Sequence, residues 1–279
     1  MVWQPGDLID LDRYPIATPG SVRAAVMAAV RRDMARDGCA VLKGFLTAAG
    51  VEALAAEADS VAHAAHRSHS RTNAYFTTDD PGLPADDPRR RFFDRSNAFI
   101  PADNFAGDGP LRSIYNTPGF DDFIRDCLQA DKFYRYDDPL ADVIVNMAET
   151  GNGFPWHFDT NNFTVTLAIQ NADRGGAFEY APGIRDGGEN FAEVSRVLDG
   201  TSASVRVLAL EPGDLQLFRG RYSLHRVAPL KGGRRYVAIF SYVEEPGMVG
   251  APERTLQLYG RTLPIHHERA GRRGDQLID

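Results

Sequence analysis

The chain has 279 residues, 43% of them hydrophobic and 25% charged, with a formal net charge of −7 at pH 7. This is the composition of a folded globular protein, and it excludes disorder as the default state. The negative balance, with basic runs no longer than Arg89-Arg90-Arg91 and Arg272-Arg273, argues against a nucleic-acid partner, because phosphate backbones need clustered Lys and Arg.

The two cysteines, Cys39 and Cys127, form neither a CxxC pair nor a disulfide framework, which fits a reducing cytoplasm. The first residues lack a basic region followed by an apolar run, so no signal peptide is expected, and no apolar stretch is long enough to span a bilayer. No internal repeat is present. In chain order, Ser21 is placed to cap a helix running to about Asp37, with Ala25, Val26, Ala29 and Val30 on one face and Gly38 ending it. Cys39 to Leu42 reads as a short strand, and Ala48 to about His66 as an Ala-rich second helix. The run His63, His66 and His69 then falls at a solvent-exposed helix end, with no carboxylate in step to complete a metal site. Residues 67–118, rich in Asp, Pro, Arg, Asn and Gly, read mostly as loop, long enough for a lid or substrate-contacting segment. A short helix is expected over Gly119 to Gln129.

From Lys132 onward the pattern changes to strands: Val143 to Met147, Phe163 to Gln170, Ala177 to Tyr180, Val205 to Leu210, Asp214 to Phe218 and Tyr236 to Tyr242. Gly and Pro punctuate them, and one helix interrupts near Glu189 to Leu198. His266-His267 read as surface residues. The expected fold is mainly β: a double-stranded β-helix (jelly roll) core with N-terminal helices packed outside. A single domain would cover 1–279. Its parts would be a helical and loop segment over 1–130, the jelly-roll core over 131–245 and a C-terminal extension over 246–279.

The chemistry gathers around His157-Phe158-Asp159. Residues two apart on a strand share a face, so an imidazole and a carboxylate aim at one point. His225 follows downstream in Arg221-Tyr222-Ser223-Leu224-His225-Arg226-Val227. Two histidines and one carboxylate make a facial triad suited to non-haem Fe(II), with positions left open. Ten residues after His225 comes Arg235, past Pro229 and the Gly232-Gly233 turn. Its guanidinium offers a bidentate fork for a carboxylate, and neighbouring Arg234 competes for the role. Strand alternation sends one inward and the other outward.

These segments resemble those of the Fe(II)/2-oxoglutarate oxygenases. The resemblance is carried by His157-Phe158-Asp159-Thr160-Asn161-Asn162-Phe163-Thr164-Val165-Thr166-Leu167, by Gly175-Gly176-Ala177-Phe178-Glu179-Tyr180, by Pro212-Gly213-Asp214-Leu215-Gln216-Leu217-Phe218, and by His225-Arg226-Val227 with Pro229 and Arg235. It covers roughly residues 140 to 245. Within the superfamily the first two segments look closest to a branch of carrier-independent amino-acid halogenases and related hydroxylases. The resemblance implies Fe(II) held by His157, Asp159 and His225, with 2-oxoglutarate and O2 as cosubstrates and Arg235 on the distal carboxylate of 2-oxoglutarate. It implies hydroxylation of a small metabolite such as a free amino acid. The halogenases of that branch carry a small residue in place of the carboxylate ligand; Asp159 is retained here, so oxygenation is expected rather than chlorination.

Asn146, alternating away from Val145 and Met147, is a candidate cosubstrate contact or a buried structural amide. Gln216, Thr166 and Gln170 are further candidates for the lumen. Thr160, Glu179 and Arg221 are candidate substrate contacts, with Tyr180 and Arg219 beside them; for the arginines a structural ion pair is the alternative. Trp156 is expected to turn away from His157 into the core. Desaturation, cyclisation or halogenation by the same cofactors is the rival reading. A non-catalytic jelly-roll metal sensor is the rival of another class, and a 2-oxoglutarate clamp at Arg235 argues against it.

Overall fold

The structure is a computed structural model describing residues 3–269. Its centre is a seven-stranded antiparallel sheet facing a four-stranded one. The larger sheet runs in the order Cys39–Leu42, Leu215–Phe218, Thr164–Gln170, Arg234–Phe240, Val143–Glu149, Phe93–Ile100, His66–Thr72. The smaller runs Arg206–Leu208, Phe178–Ala181, Leu224–Val227, Phe154–His157. This is the jelly roll expected from the strand pattern.

Period-two alternation decides which side of the larger sheet faces the site. Along Val143–Glu149, Val143, Val145 and Met147 point to a hydrophobic core shared with Val30, Met34, Leu54 and Phe123 of the N-terminal helices. Ile144 and Asn146 point the other way, into a cavity between the sheets. The neighbouring strand pairs Arg235 with Ala148, Val237 with Asn146 and Ile239 with Ile144, so those side chains share the cavity face.

Helix Ser21–Asp37 ends at Gly38, whose φ of +60° is the left-handed stop that glycine adopts at little cost. Its cap position falls on Gly20, one residue before the expected Ser21. Helix Ala48–Val61 is capped by Thr47, whose hydroxyl accepts from the Gly50 amide at 2.9 Å. It stops at Val61, and after the 3-10 turn Ala62–Ala64 a strand begins at His66. His66 and His69 therefore lie on a strand, and the helix-end reading of the His63, His66, His69 run is corrected.

Residues 67–118 are corrected too. Strands His66–Thr72 and Phe93–Ile100 pair with each other and extend the main sheet beyond Val143–Glu149, and helix Pro110–Tyr115 follows. The sequence His66-Arg67-Ser68-His69-Ser70-Arg71-Thr72 has no apolar alternation because it forms the sheet's edge, where neither face needs to be wholly buried. The loop between these strands is tied by Asn73, whose Oδ1 accepts from the amides of Tyr75 at 3.0 Å and Thr77 at 3.1 Å. Helices Pro252–Tyr259 and Pro264–Arg269 close the described chain. His266 is fully buried, its Nε2 3.0 Å from both carboxylate oxygens of Asp138, while His267 is exposed; the surface reading of the pair holds for His267 alone. Among the described residues no helix is long and apolar enough to cross a membrane.

Candidate active site

His157 ends strand Phe154–His157, and His225 sits directly opposite on Leu224–Val227. Their ring centroids are 4.2 Å apart. His157 Nδ1 lies 2.8 Å from the Pro155 carbonyl and His225 Nδ1 lies 2.9 Å from the Ser223 carbonyl. A carbonyl only accepts, so each Nδ1 carries the proton and each Nε2 lone pair is left for a metal. Asp159 follows in the loop after the strand, its amide donating to the Gly220 carbonyl at 3.1 Å. Its Oδ2 accepts from the Thr164 hydroxyl. Its Oδ1 lies 3.6 Å from His157 Nε2 and 3.4 Å from His225 Nε2.

All three donor atoms lie within 4.8 Å of one another, and no other such His, Cys, Asp or Glu cluster occurs among the described residues. A divalent ion with bonds of about 2.0–2.2 Å sets adjacent donors about 3 Å apart, so side chains already within 4.8 Å of one another can close on one ion. Gly220 is part of that fit: a Cβ there would lie 1.9 Å from Asp159 Oδ2 and 2.7 Å from Thr164 Oγ1.

Burial, reinforced by the neighbouring His225, pushes His157 down to about 4, so it is neutral at physiological pH. Burial alone would raise the Asp159 carboxyl, but the two histidines outweigh it and hold it well below the usual carboxylate range. Two imidazoles, each with a free Nε2, and one carboxylate are the donor set of a non-haem Fe(II) facial triad.

The triad opens into a cavity of about 200 Å³. Arg235 lines it, 8% exposed, and makes no hydrogen bond or ion pair with any described residue. Burial lowers its pKa to about 10, which leaves it cationic at neutral pH. Arg234 turns outward to Glu149 at 2.9 Å, Asp59 at 3.6 Å and the Tyr236 hydroxyl at 3.1 Å. Alternation thus separates the two candidates.

Of the other expected residues, Asn146, Thr160, Thr166 and Gln216 line the cavity. Asn146 Nδ2 donates to the Ala98 carbonyl at 3.3 Å, and Gln216 Oε1 accepts from Thr166 Oγ1 at 3.0 Å. Gln170 instead donates to the Arg234 carbonyl. Arg221 is not in the cavity lining; it is fully buried and holds the Thr160 carbonyl at 2.9 Å. Glu179 lies outside the cavity in an ion pair with Arg226 at 2.7 Å, and Arg219 pairs with Asp186 at 3.1 Å. Tyr180 packs on Phe178 and Phe218. Trp156 faces away from the triad, in a cluster with Tyr75, Phe158 and Leu224.

Among the cavity residues that sequence reasoning passed over are Phe76, Arg95 and Arg254. Arg95 shares strand parity with Phe99, which lines the same cavity, but that signal exists only once Phe93–Ile100 is known to be a strand. Arg254, beyond the last motif, carries no such signal.

The sequence profile of halogenase D (HalD) matches residues 22–249. No curated protein matches the chain significantly. Among solved structures, the chain is similar to an oxidoreductase of the 2OG-Fe(II) oxygenase family from Burkholderia pseudomallei, at 14% identity and a TM-score of 0.51, over 82% of this chain and 93% of that one. It is similar to a Trichoplax adhaerens prolyl hydroxylase solved with a hypoxia inducible factor peptide, at 15% identity and a TM-score of 0.52, over 80% and 90% of the two chains. It is also similar to the epimerase SnoN from nogalamycin biosynthesis in complex with Fe3+, alpha ketoglutarate and nogalamycin RO, at 15% identity and a TM-score of 0.54, over 79% and 84%. Those likenesses establish the fold, and the profile match over most of the chain establishes the family: the chain belongs to the halogenase D family, built on the Fe(II)/2-oxoglutarate oxygenase fold.

Proposed function

We propose that the protein is an Fe(II)- and 2-oxoglutarate-dependent oxygenase of the cytoplasm that hydroxylates a small metabolite such as a free amino acid. One observation carries the reading: a buried guanidinium, Arg235, with no partner among the described residues, lines the same cavity as a His-Asp-His triad whose histidine Nε2 atoms face a shared point. A buried cation without a counter-charge is costly to fold around, so a ligand carboxylate is its natural complement.

When bound, iron and 2-oxoglutarate supply the activation of O2 and the removal of a hydrogen atom from substrate carbon, with succinate and CO2 as co-products. His157, Asp159 and His225 would hold the ion, and the carbonyls of Pro155 and Ser223 fix the ring orientations. Arg235 would anchor the distal carboxylate of 2-oxoglutarate, with Asn146 and Gln216 offering polar contacts along its length. Phe154, Phe163, Phe178 and Phe218 line the cavity and exclude water. Asp159 favours oxygen transfer over chlorination, because its carboxylate takes the position a halide would need and its charge repels an anion. The buried free thiols Cys39 and Cys127 are in keeping with a reducing compartment.

The test is succinate release by purified protein with Fe(II), 2-oxoglutarate and O2, against His157→Ala and His225→Ala. No 2-oxoglutarate consumption by the unmodified protein, or full activity in either folded variant, removes the reading.

A further inference from the structure

Arg235 stands between two cavities. One holds the triad; the other, of about 250 Å³, is lined by the Gly175-Gly176 turn and by residues 207–211. Among the described residues, Arg235 and Phe178 are the two that line both, so their side chains form the partition. Phe178 is pinned, with its ring edge-on to Phe218 at 5.3 Å and beside His225 at 5.7 Å. Arg235 makes no hydrogen bond or ion pair with any described residue, so packing alone sets its position.

The second cavity is built into the backbone. Gly175 and Gly176 have φ of +79° and +72°, a region that other residues enter at a cost. A Cβ at Gly175 would also lie 2.6 Å from the Pro229 carbonyl oxygen. Ala168, Ala172 and Ala209 continue a wall of small side chains. The sheet is widened next to it. Tyr236 pairs with Gln170 and Val237 with Ala168, which leaves Ile169 as an extra residue on strand Thr164–Gln170, immediately beside Arg235.

An arginine held by protein hydrogen bonds cannot shift without breaking them, and each loss costs stability. Arg235 has no such bond to a described residue to break, and it has room behind it. Glu211 stands exposed on the rim of that room and offers a counter-charge. Movement towards the rim also brings the guanidinium closer to water, which relieves the burial that disfavours its charge.

Taking the oxygenase reading as given, we propose that Arg235 is a movable end wall of the cosubstrate site, so that the protein accepts 2-oxo dicarboxylates longer than 2-oxoglutarate, 2-oxoadipate first among them. The two acids share the 2-oxo acid end and differ by one methylene in the reach to the distal carboxylate. Arg235 follows that carboxylate into the second cavity instead of excluding it. The small residues behind Arg235 thereby set the length of acid that the site takes.

The experiment is calorimetric titration of the full chain, loaded with Mn(II), by 2-oxoglutarate and by 2-oxoadipate. A fixed wall discriminates against one methylene by about 10- to 200-fold. The unmodified protein is expected to bind 2-oxoadipate less than tenfold more weakly than 2-oxoglutarate. Ala172→Leu, which adds bulk to the second cavity, should weaken 2-oxoadipate at least tenfold and leave 2-oxoglutarate within about twofold. Ala209→Leu repeats the test from another part of the wall, and thermal melting checks that each variant folds. Binding of 2-oxoadipate tenfold or more weaker by the unmodified protein overturns the proposal. So do folded variants that weaken both acids alike or neither. Loading is read first: failure to take up Mn(II) and 2-oxoglutarate defeats the oxygenase reading itself, whereas normal loading followed by these results defeats only the movable wall.

Discussion

Replacing Arg235 by Met separates binding of the cosubstrate from stability of the fold. Met keeps an apolar stem in the site and removes the charge. Arg235 faces the cavity with no hydrogen-bond or ion-pair partner among the described residues, so the variant loses no such contact with them. Burial disfavours its charged form, lowering its pKa to about 10. Without 2-oxoglutarate, Arg235→Met is therefore expected to melt at or above the unmodified protein. With the cosubstrate the order reverses. A bidentate charge-assisted contact is worth about 1.5–3 kcal/mol, which corresponds to a roughly 10- to 150-fold higher requirement for 2-oxoglutarate. Saturating cosubstrate at about 100 times its Kd raises stability by about 2.7 kcal/mol, a gain that falls to about 0.3–1.4 kcal/mol in the variant at the same concentration. Arg234→Met is the control: that side chain is 41% exposed in its pair with Glu149, and its loss is worth about 0–1 kcal/mol with no change in 2-oxoglutarate requirement. Succinate release against 2-oxoglutarate concentration, together with melts in Mn(II) with and without cosubstrate, reads both effects. A larger shift in Arg234→Met than in Arg235→Met would refute the assignment of the inward face.

Other outcomes follow from the same site and from the C-terminal helix. Because His157 titrates at about 4 in the fold against 6.5 when exposed, the unfolded chain binds more protons between those values; metal-free stability should fall as pH drops from about 6.5 towards 4, and His157→Gln should flatten that slope in melts across the range. Asp159→Gly should lose most hydroxylation and gain little chlorination, since a vacant position does not by itself steer substrate towards a halide. Mass spectrometry of products formed in chloride decides this, and a chlorinated main product from the unmodified protein would contradict a three-ligand site. Asp138→Ala removes the acceptor for the amides of Leu140 and Gly250 and for buried His266. It should cost about 3–5 kcal/mol in urea denaturation, and a loss under about 1 kcal/mol would show that this pair does not anchor the C-terminal helix.

The core strands were legible because their two faces differ. Val143, Val145 and Met147 alternate with Ile144 and Asn146, and the same rule separates Arg235 from Arg234. The triad residues were legible because HxD and a distant His lie on strand ends that converge. The edge strand His66–Thr72 was not: polar on both faces, it offers no period to read, and its pairing with Phe93–Ile100 is a long-range fact. Arg95 went unseen for the same reason, since an arginine in a segment read as loop has no inward face. His266 looked like surface because its partner, Asp138, lies 128 residues earlier. Arg221 and Glu179 had the right residue types near the right motifs, yet one clamps the Thr160 carbonyl and the other pairs with Arg226.

The close approach of Gly220 to Asp159 constrains the order in which this site can change. The φ of Gly220 lies outside the left-handed region, so its backbone would accept alanine; what forbids it is the Asp159 carboxylate, with the Thr164 hydroxyl bonded to it standing 2.7 Å from the same Cβ. Gly220→Ala alone should displace Asp159 and weaken Fe(II) binding at least tenfold while the chain stays folded. With Asp159→Gly made first, the carboxylate clash is gone and the Thr164 hydroxyl, released from its bond to Asp159, is free to turn aside, so the same alanine costs far less. The two positions are thus epistatic, and the path is directional: a lineage can shed the carboxylate and then fill position 220, but once 220 carries a side chain, restoring an aspartate at 159 is blocked. A filled 220 would act as a ratchet, making the loss of the third protein ligand difficult to reverse.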